Sequence, residues 1–194
     1  MITVVNGAPV YIDKIDNVVN HQQLLDPFVN DESFWRNADE WMSNTKTTHN
    51  HPNNHLLPWH AIIPEINFHL EKYLQIFKPT AKFEIEAYPW LNKYDQGNWQ
   101  EQHNHIAKDI YFSMAYIIKG NGQNNFVFAE SPNVWHSFID PEGLFDAWPN
   151  RHYIPEQIDG TLIIFPSTLD HFVLPNKSTE QRITASANFA LIKD

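Results

Sequence analysis

The segment QEQHNHIAKD (residues 100–109) carries His103 and His105 one residue apart, followed by a carboxylate at Asp109. In a β-strand, residues i and i+2 point to the same face, so the two imidazoles would project together. Neutral imidazole is a common nitrogen ligand for iron, zinc and copper. The segment is therefore a candidate metal site, and the alternative is an edge strand with two exposed histidines.

A second set of closely spaced histidines lies in THNHPNNH (residues 48–55), which supplies His49, His51 and His55. It falls in a stretch rich in asparagine and proline between two helical segments, and it has no strand pattern. We interpret it as a surface loop rather than a metal site.

Later features distinguish the first pair of histidines from the second. GTLIIFPSTLDH (residues 160–171) predicts a buried strand, a proline turn and then His171 at the start of the next strand. A histidine on a different strand is what a three-ligand site on a β-scaffold requires. Asp109 could supply a carboxylate to the same site.

Arg182 follows His171 by eleven residues and opens the alternating segment RITASANFA. An arginine that points into a barrel is costly unless it meets an anion, and its planar fork suits a carboxylate. Taken alone, Arg182 would more simply form a surface salt bridge. Together with the histidines, it predicts a metal site with an acid-binding arginine beside it.

The elements that must position these residues differ along the chain. From about residue 17 to residue 77, the spacing of apolar residues predicts amphipathic helices. Asp31 is expected to cap the second helix, and the longest helix is expected over residues 64–77. The side chains on its buried face would be Ile66, Leu70, Tyr73, Leu74 and Phe77.

From about residue 82 the pattern changes to β. In KFEIEAYPWLNKY (residues 82–94), alternate positions are apolar and charged, which is the period of a strand. Further short strands follow: IYFSMAYII, NFVFA, GTLIIFP, HFVLP and RITASANFALI. The sequence therefore predicts a mostly β protein with N-terminal helices (α+β), folded as a jelly roll that the helices support.

We expect a single domain over residues 1–194, without internal repeats. Residues 1–80 would form the helical support region and residues 82–194 the jelly-roll core. Residues 130–159 are interpreted as a long irregular insertion in that core, and such loops are often functional.

Composition excludes several classes of protein. The chain has 194 residues, 42% of them hydrophobic, which indicates a folded domain rather than disorder. Its net charge of -10 disfavours binding to duplex nucleic acid. There are no cysteines, no signal-peptide pattern and no apolar run long enough for a membrane span, so we expect a cytoplasmic protein.

Four segments resemble the iron(II)- and 2-oxoglutarate-dependent oxygenases, in particular a small phage and bacterial branch. They are WLNKYDQGNWQEQHNH, FSMAYII, GTLIIFPSTLDHFVLPN and QRITASANF. The branch typically has W-x-N-x-Y-x-x-G, Q-x-x-H-x-H, S-G-x-Y-Y, F-P-S-x-x-x-H-x-V and R-I-S-x-S-x-N. The resemblance covers roughly residues 88 to 190, and FPSTLDHFV with the spaced arginine is its most specific part.

The resemblance implies a double-stranded β-helix in which His103 and His171 bind iron and Arg182 binds the distal carboxylate of 2-oxoglutarate (2OG). The residues that would assist Arg182 are Thr184, Tyr94 and Ser113. Such enzymes use molecular oxygen to convert 2OG to succinate and carbon dioxide while attacking an unreactive C–H bond. We expect hydroxylation of an amino-acid, peptidyl or small-molecule substrate.

Two departures from the family pattern bear on the site. Most of the superfamily has His-x-Asp or His-x-Glu as the first ligand pair, whereas residues 103–105 are His-Asn-His. Either His105 replaces the carboxylate, as H-x-H in the branch favours, or Asp109 restores two histidines and one carboxylate. In S-G-x-Y-Y, Met114 and Ile117 replace the glycine and the second tyrosine, so any 2OG contact made by that hydroxyl is missing.

Two other readings stay open on the sequence. Gly97, the two histidines and Asp109 approach the cupin spacing G-x5-H-x-H-x3-E, and Gly160, Pro166 and His171 approach its second motif. A cupin would bind a metal without needing 2OG. A non-catalytic jelly-roll binding module would bind no stoichiometric metal.

Overall fold

A computed structural model of the chain describes residues 1–129 and 154–193. Most of the expected insertion at residues 130–159 therefore lies outside the described residues. Residues 154–158 have no regular secondary structure, and residues 159–160 form a turn before β9.

Eight strands form a major sheet and three form a minor sheet. The major sheet contains, in spatial order, β1 (Ile2–Val5), β2 (Ala8–Lys14), β9 (Thr161–Pro166), β7 (Ile110–Lys119), β11 (Arg182–Lys193), β5 (Phe83–Tyr94), β4 (Lys46–Thr47) and β3 (Arg36–Asn37). The minor sheet contains β6 (Gln100–His103), β10 (His171–Val173) and β8 (Phe126–Phe128). The described strand pairs are antiparallel, and the two sheets form the expected jelly roll.

Two helices cover the outer face of the major sheet. They are α1 (Val18–Val29) and α2 (Trp59–Leu74). Alternate residues of β11 separate its two faces: Ala185 and Phe189 join the helices in one hydrophobic core, whereas Arg182 and Thr184 face the cavity between the sheets. A second core, which includes Phe126 and residues 163 and 165, joins the sheets to each other.

The N-terminal strands were not anticipated. Asn6 and Gly7 connect β1 to β2, and both have the positive φ (51° and 82°) that a tight hairpin turn needs. β2 then pairs with β9, so this hairpin extends the major sheet.

The helical expectation for residues 17–77 is right for α1 and α2 but wrong between them. Asp31 does act as a cap, since its side chain accepts a hydrogen bond from Ser33 N at 2.9 Å, but it begins a short 3-10 helix, Glu32–Phe34. The following residues enter the major sheet as β3 and β4, because Thr47 pairs with Asn92 of β5. The free edge of β5 supplies hydrogen-bond partners for the backbone of β4, which the helical pattern of the sequence does not reveal.

The long helix begins earlier than expected. α2 starts at Trp59 rather than at Pro64, and Pro64 lies inside it. Burial of Ile62 before the proline offsets the hydrogen bond that proline cannot donate. The helix ends at Leu74, a 3-10 turn follows, and Phe77 is 46% exposed rather than buried.

The described residues include no helix that is long and apolar enough to cross a bilayer.

Candidate metal centre

Strand pairing brings three histidines together. His103 at the end of β6 lies directly opposite His171 at the start of β10 in the antiparallel register. His105 follows two residues later, and its backbone N–H donates to Ser167 O at 2.8 Å. Each histidine can place one ring nitrogen within 4.8 Å of the other two, and the ring centroids are 4.3 to 5.0 Å apart. This spacing suits three ligands of one ion.

Backbone carbonyls orient two of the rings. Nδ1 of His103 lies 2.8 Å from Glu101 O, and Nδ1 of His171 lies 2.9 Å from Leu169 O. A carbonyl can only accept, so each Nδ1 carries the proton and each Nε2 keeps a lone pair. These contacts fix the tautomer that binds a metal through Nε2.

Burial keeps the imidazoles neutral. It lowers the pKa of His103, and with the neighbouring His103 it lowers the pKa of His105 to about 3. The pKa of His171 is well below the usual histidine value for the same reason. Neutral imidazole is the form that ligates metals, so the site is ready for a cation at neutral pH.

The geometry separates the two alternatives for the third ligand. His105 belongs to the cluster of ligand atoms, whereas Asp109 is exposed and is not in that cluster as far as the described residues go. Asp109 lies in the turn before β7 with a left-handed φ of 64°. The structure therefore brings together a three-histidine set.

Two side-chain hydrogen bonds on the outer surface, here called the outer strap, hold β6 against β10. Asn104 donates to Asp170 Oδ1 at 2.8 Å, and Gln102 donates to Asp170 Oδ2 at 3.2 Å. Both residues flank His103, and Asp170 precedes His171. Sequence reasoning missed this strap, although alternation along a strand places the neighbours of an inward ligand on the outer face.

The histidines line a cavity between the two sheets. It holds about 370 Å³ of space free of protein atoms, counting its open mouth. The polar side chains that line it with the histidines include Tyr94, Gln100, Arg182 and Thr184. Trp90, Phe126 and Val173 contribute apolar walls.

Arg182 is buried in this cavity with two unused nitrogens. It is 1% exposed, and its Nη2 donates to Gln157 Oε1 at 3.1 Å. Among the described residues, Nε and Nη1 have no hydrogen-bond partner. Arg182 also forms no salt bridge with any described residue. Burial lowers the pKa of Arg182 to about 10, so the group remains a cation at neutral pH. A buried cation without a counter-ion fits an anionic ligand.

Of the three residues expected to assist Arg182, two line the cavity. Tyr94 pairs with Arg182 in the strand register, and burial raises the pKa of its phenol to about 12, so the hydroxyl keeps its proton. Thr184 lies on the same face of β11.

Ser113 does not line the cavity, and that expectation is corrected. Its hydroxyl donates to Asn188 Oδ1 at 2.8 Å, and Asn188 is its register partner. Asn188 is six residues along β11 from Arg182, a strand rise of about 20 Å. The resemblance suggested Ser113, but a motif match does not give its distance along the strand from Arg182.

A second cavity, here called the outer groove, adjoins the first. It is lined by residues 49–51 and Asn54, residues 87–90 and Asn188. The space free of protein atoms in it, including its open mouth, is about 630 Å³. Trp90 lines both cavities; its ring lies 5.0 Å from His49 and 5.8 Å from His105. The segment interpreted as a surface loop thus borders the histidine site, which no sequence pattern indicated.

Comparison with known proteins adds family and fold. A family model described as "Putative 2OG-Fe(II) oxygenase" matches residues 88–188, which include the three histidines and Arg182. No curated protein matches the chain.

Solved structures with a similar fold include a Pseudomonas putida prolyl-4-hydroxylase (TM-score 0.59, 13% identity, 93% of this chain and 91% of that chain). HygX from Streptomyces hygroscopicus, solved with nickel and 2OG bound, is also similar (TM-score 0.61, 9% identity, 93% and 82% covered). The epimerase SnoN from nogalamycin biosynthesis is a third (TM-score 0.62, 11% identity, 93% and 76% covered). At these identities the likeness concerns the fold.

Proposed function

Because the chain belongs to the 2OG-Fe(II) oxygenase family, whose cofactors are iron(II) and 2OG, we propose that His103, His105 and His171 hold the iron. We further propose that Arg182 binds the distal carboxylate of 2OG. One observation carries the proposal: a neutral histidine triad lines the same cavity as a buried guanidinium that has no counter-ion among the described residues.

The donor set fits the proposed cofactors. Three imidazole ligands on one side of a ferrous ion leave other coordination positions for exchangeable ligands. Nε and Nη1 of Arg182 offer N–H groups to a carboxylate, and the two hydroxyls of Tyr94 and Thr184 lie in the same cavity. Asp109 is not needed as a ligand.

When bound, iron and 2OG would allow molecular oxygen to act as the oxidant: one oxygen atom would enter succinate as 2OG loses carbon dioxide, and the other would enter a C–H bond of the substrate. The protein's residues would bind the iron and 2OG, orient them and shield them from water. The oriented Nε2 atoms of His103 and His171 fix where the ion sits. Arg182 sets the direction of the co-substrate, and Phe126, Val173 and Trp90 restrict water in the cavity.

The outer groove is the proposed site of the substrate. It adjoins the histidine cavity through Trp90, and none of its described lining residues is Lys, Arg, Asp or Glu. Its amide, imidazole, phenol and indole groups suit an uncharged, hydrogen-bonding ligand. We propose that the enzyme hydroxylates an uncharged amino-acid, peptidyl or small-molecule substrate bound there.

The test is succinate formation from 2OG by anaerobically purified, iron-loaded protein after oxygen is admitted. His171→Ala and Arg182→Ala should each retain less than about 1% of the wild-type rate, because each removes a group that binds a cofactor. His60→Ala, an exposed histidine on α2, should keep the wild-type rate. The iron content of each protein is measured in parallel.

Either of two results would contradict the proposal. Stoichiometric iron without succinate, with candidate substrates present, would favour a metal-binding jelly roll that does not use 2OG. Absence of iron from the wild type would mean that the histidine cluster is structural.

A further inference from the structure

Gln157 is a buried side chain whose hydrogen-bonding capacity is fully used. Its Oε1 accepts from Phe126 N at 2.8 Å and from Arg182 Nη2 at 3.1 Å. Its Nε2 donates to Phe126 O at 2.8 Å and to Pro155 O at 3.2 Å. An amide has two donors and can accept twice, so no hydrogen bond is left over.

These contacts bridge the two sheets. Because the amide bonds to both the N–H and the carbonyl of Phe126, it pairs with β8 as a strand residue would. The same oxygen reaches Arg182 at the start of β11 in the major sheet. The Gln157 backbone is also held, since its N–H donates to Asn124 Oδ1 at 2.8 Å.

Gln157 holds Nη2 of Arg182, whereas Nε and Nη1 stay unused among the described residues. The Tyr94 ring also contacts the guanidinium, with its centroid 5.2 Å from the central carbon. A neutral acceptor orients a guanidinium without cancelling its charge, whereas a carboxylate at the same place would do both. The nature of residue 157 therefore decides how much of the positive charge is left for a ligand.

We propose that Gln157 is a positioning residue that makes the cavity selective for a dicarboxylate. Its amide holds Arg182 in place and leaves two nitrogens, Nε and Nη1, and the full charge for the distal carboxylate of 2OG. The inference rests on the proposed role of Arg182 and adds a residue from the end of the 130–159 segment to it.

The experiment compares two keto acids on protein loaded with Mn(II), which allows binding to be measured without turnover. Dissociation constants for 2OG and for 2-oxopentanoate, which lacks the distal carboxylate, are measured by calorimetry. The proteins are wild type, Gln157→Glu, Arg182→Gln and the double variant. Gln181→Glu is the matched control, because the same change occurs one residue from Arg182 on an outer side chain that bonds to Asp95.

Gln157→Glu should weaken 2OG binding at least about tenfold, because the new carboxylate competes for Arg182. It should leave 2-oxopentanoate and Mn(II) binding within about twofold, since neither uses the guanidinium. In the Arg182→Gln background the substitution should have no further effect on 2OG. Gln181→Glu should bind both keto acids like the wild type.

Two results would overturn the inference while leaving the role of Arg182 intact. One is unchanged 2OG binding in Gln157→Glu. The other is an equal loss of 2OG and 2-oxopentanoate binding, which would indicate general damage. If wild-type protein did not prefer 2OG over 2-oxopentanoate, the proposed role of Arg182 would fail, and this inference with it.

Discussion

The chain contains the tripeptide His-Asn-His twice, at residues 49–51 and at residues 103–105, and the two copies have different surroundings. At 103–105 the first histidine ends β6 and faces His171 across a strand pair. At 49–51 the chain turns at Asn50, whose φ is 54°, and His51 accepts a hydrogen bond from Asn53 N to begin a short helix. Identical residues thus lie in a cluster of three histidines in one place and in a turn in the other.

What separates the copies is the partner strand. A pair of histidines supplies two ligands, and the third comes only from a neighbouring strand in register. His49 instead lies between two indoles, Trp41 at 5.6 Å and Trp90 at 5.0 Å. The search for metal sites in a sequence should therefore weigh the next strand as heavily as the motif itself.

The largest expected effect on metal affinity comes from removing His171, the histidine that β10 contributes to the cluster. His171→Ala should weaken Mn(II) or Fe(II) binding by at least about 100-fold. Only two histidines, His103 and His105, would then remain, as many as the tripeptide at residues 49–51 contains. His51→Ala should leave metal affinity within about twofold. Calorimetric titration of both variants checks this, and equal losses would mean that both tripeptides bind metal.

A smaller contrast tests the third ligand. His105→Ala should weaken metal binding by about tenfold or more, less than His171→Ala, because His105 lies beyond the end of β6, whereas His171 is buried and oriented by Leu169 O. Asp109→Ala should change it by less than about twofold, since its exposed carboxylate is outside the cluster. The measurement is the metal dissociation constant, and the opposite ranking would restore the two-histidine, one-carboxylate set.

The smallest contrast concerns the two central asparagines. Asn104→Ala removes a hydrogen bond to Asp170 and should cost about 1 kcal/mol of stability with a few-fold loss of metal affinity. Asn50→Ala should cost about 1 kcal/mol as well, because alanine resists a left-handed φ, but metal affinity should not change. Urea denaturation and metal titration together separate the two; a metal effect at Asn50 would contradict this assignment.

Much of the fold and the centre of the site could be predicted because strand alternation and loop signals are local. The period-2 pattern indicated that His103 and His105 would project together, and the proline turn before His171 indicated a separate strand. Ser113, which the resemblance suggested, lies outside the cavity lining, because a motif match does not give the distance of a residue along a strand. The Asn6-Gly7 pair between alternating apolar residues was an available hairpin signal that went unused.

Other features had no signal in the sequence. Gln157 acts through side-chain contacts to β8 and β11, and such contacts follow no period. The position of His105 in the histidine cluster and of Asp109 in an exposed turn depends on backbone conformation that no sequence pattern gives. β4 joined the sheet because β5 offered an edge there, and β3 pairs with β4, which only the assembled strand order reveals.

The pairing of β6 with β10 also has a consequence for folding. It joins segments separated along the chain by β7, β8, β9 and the 130–153 segment, so it forms only after a long loop has closed. An ion that binds the completed triad and not the unfolded chain would shift the folding equilibrium by about 2.7 kcal/mol at a concentration one hundred times its dissociation constant. The metal would then act as a staple between distant parts of the chain, slowing the opening of the minor sheet.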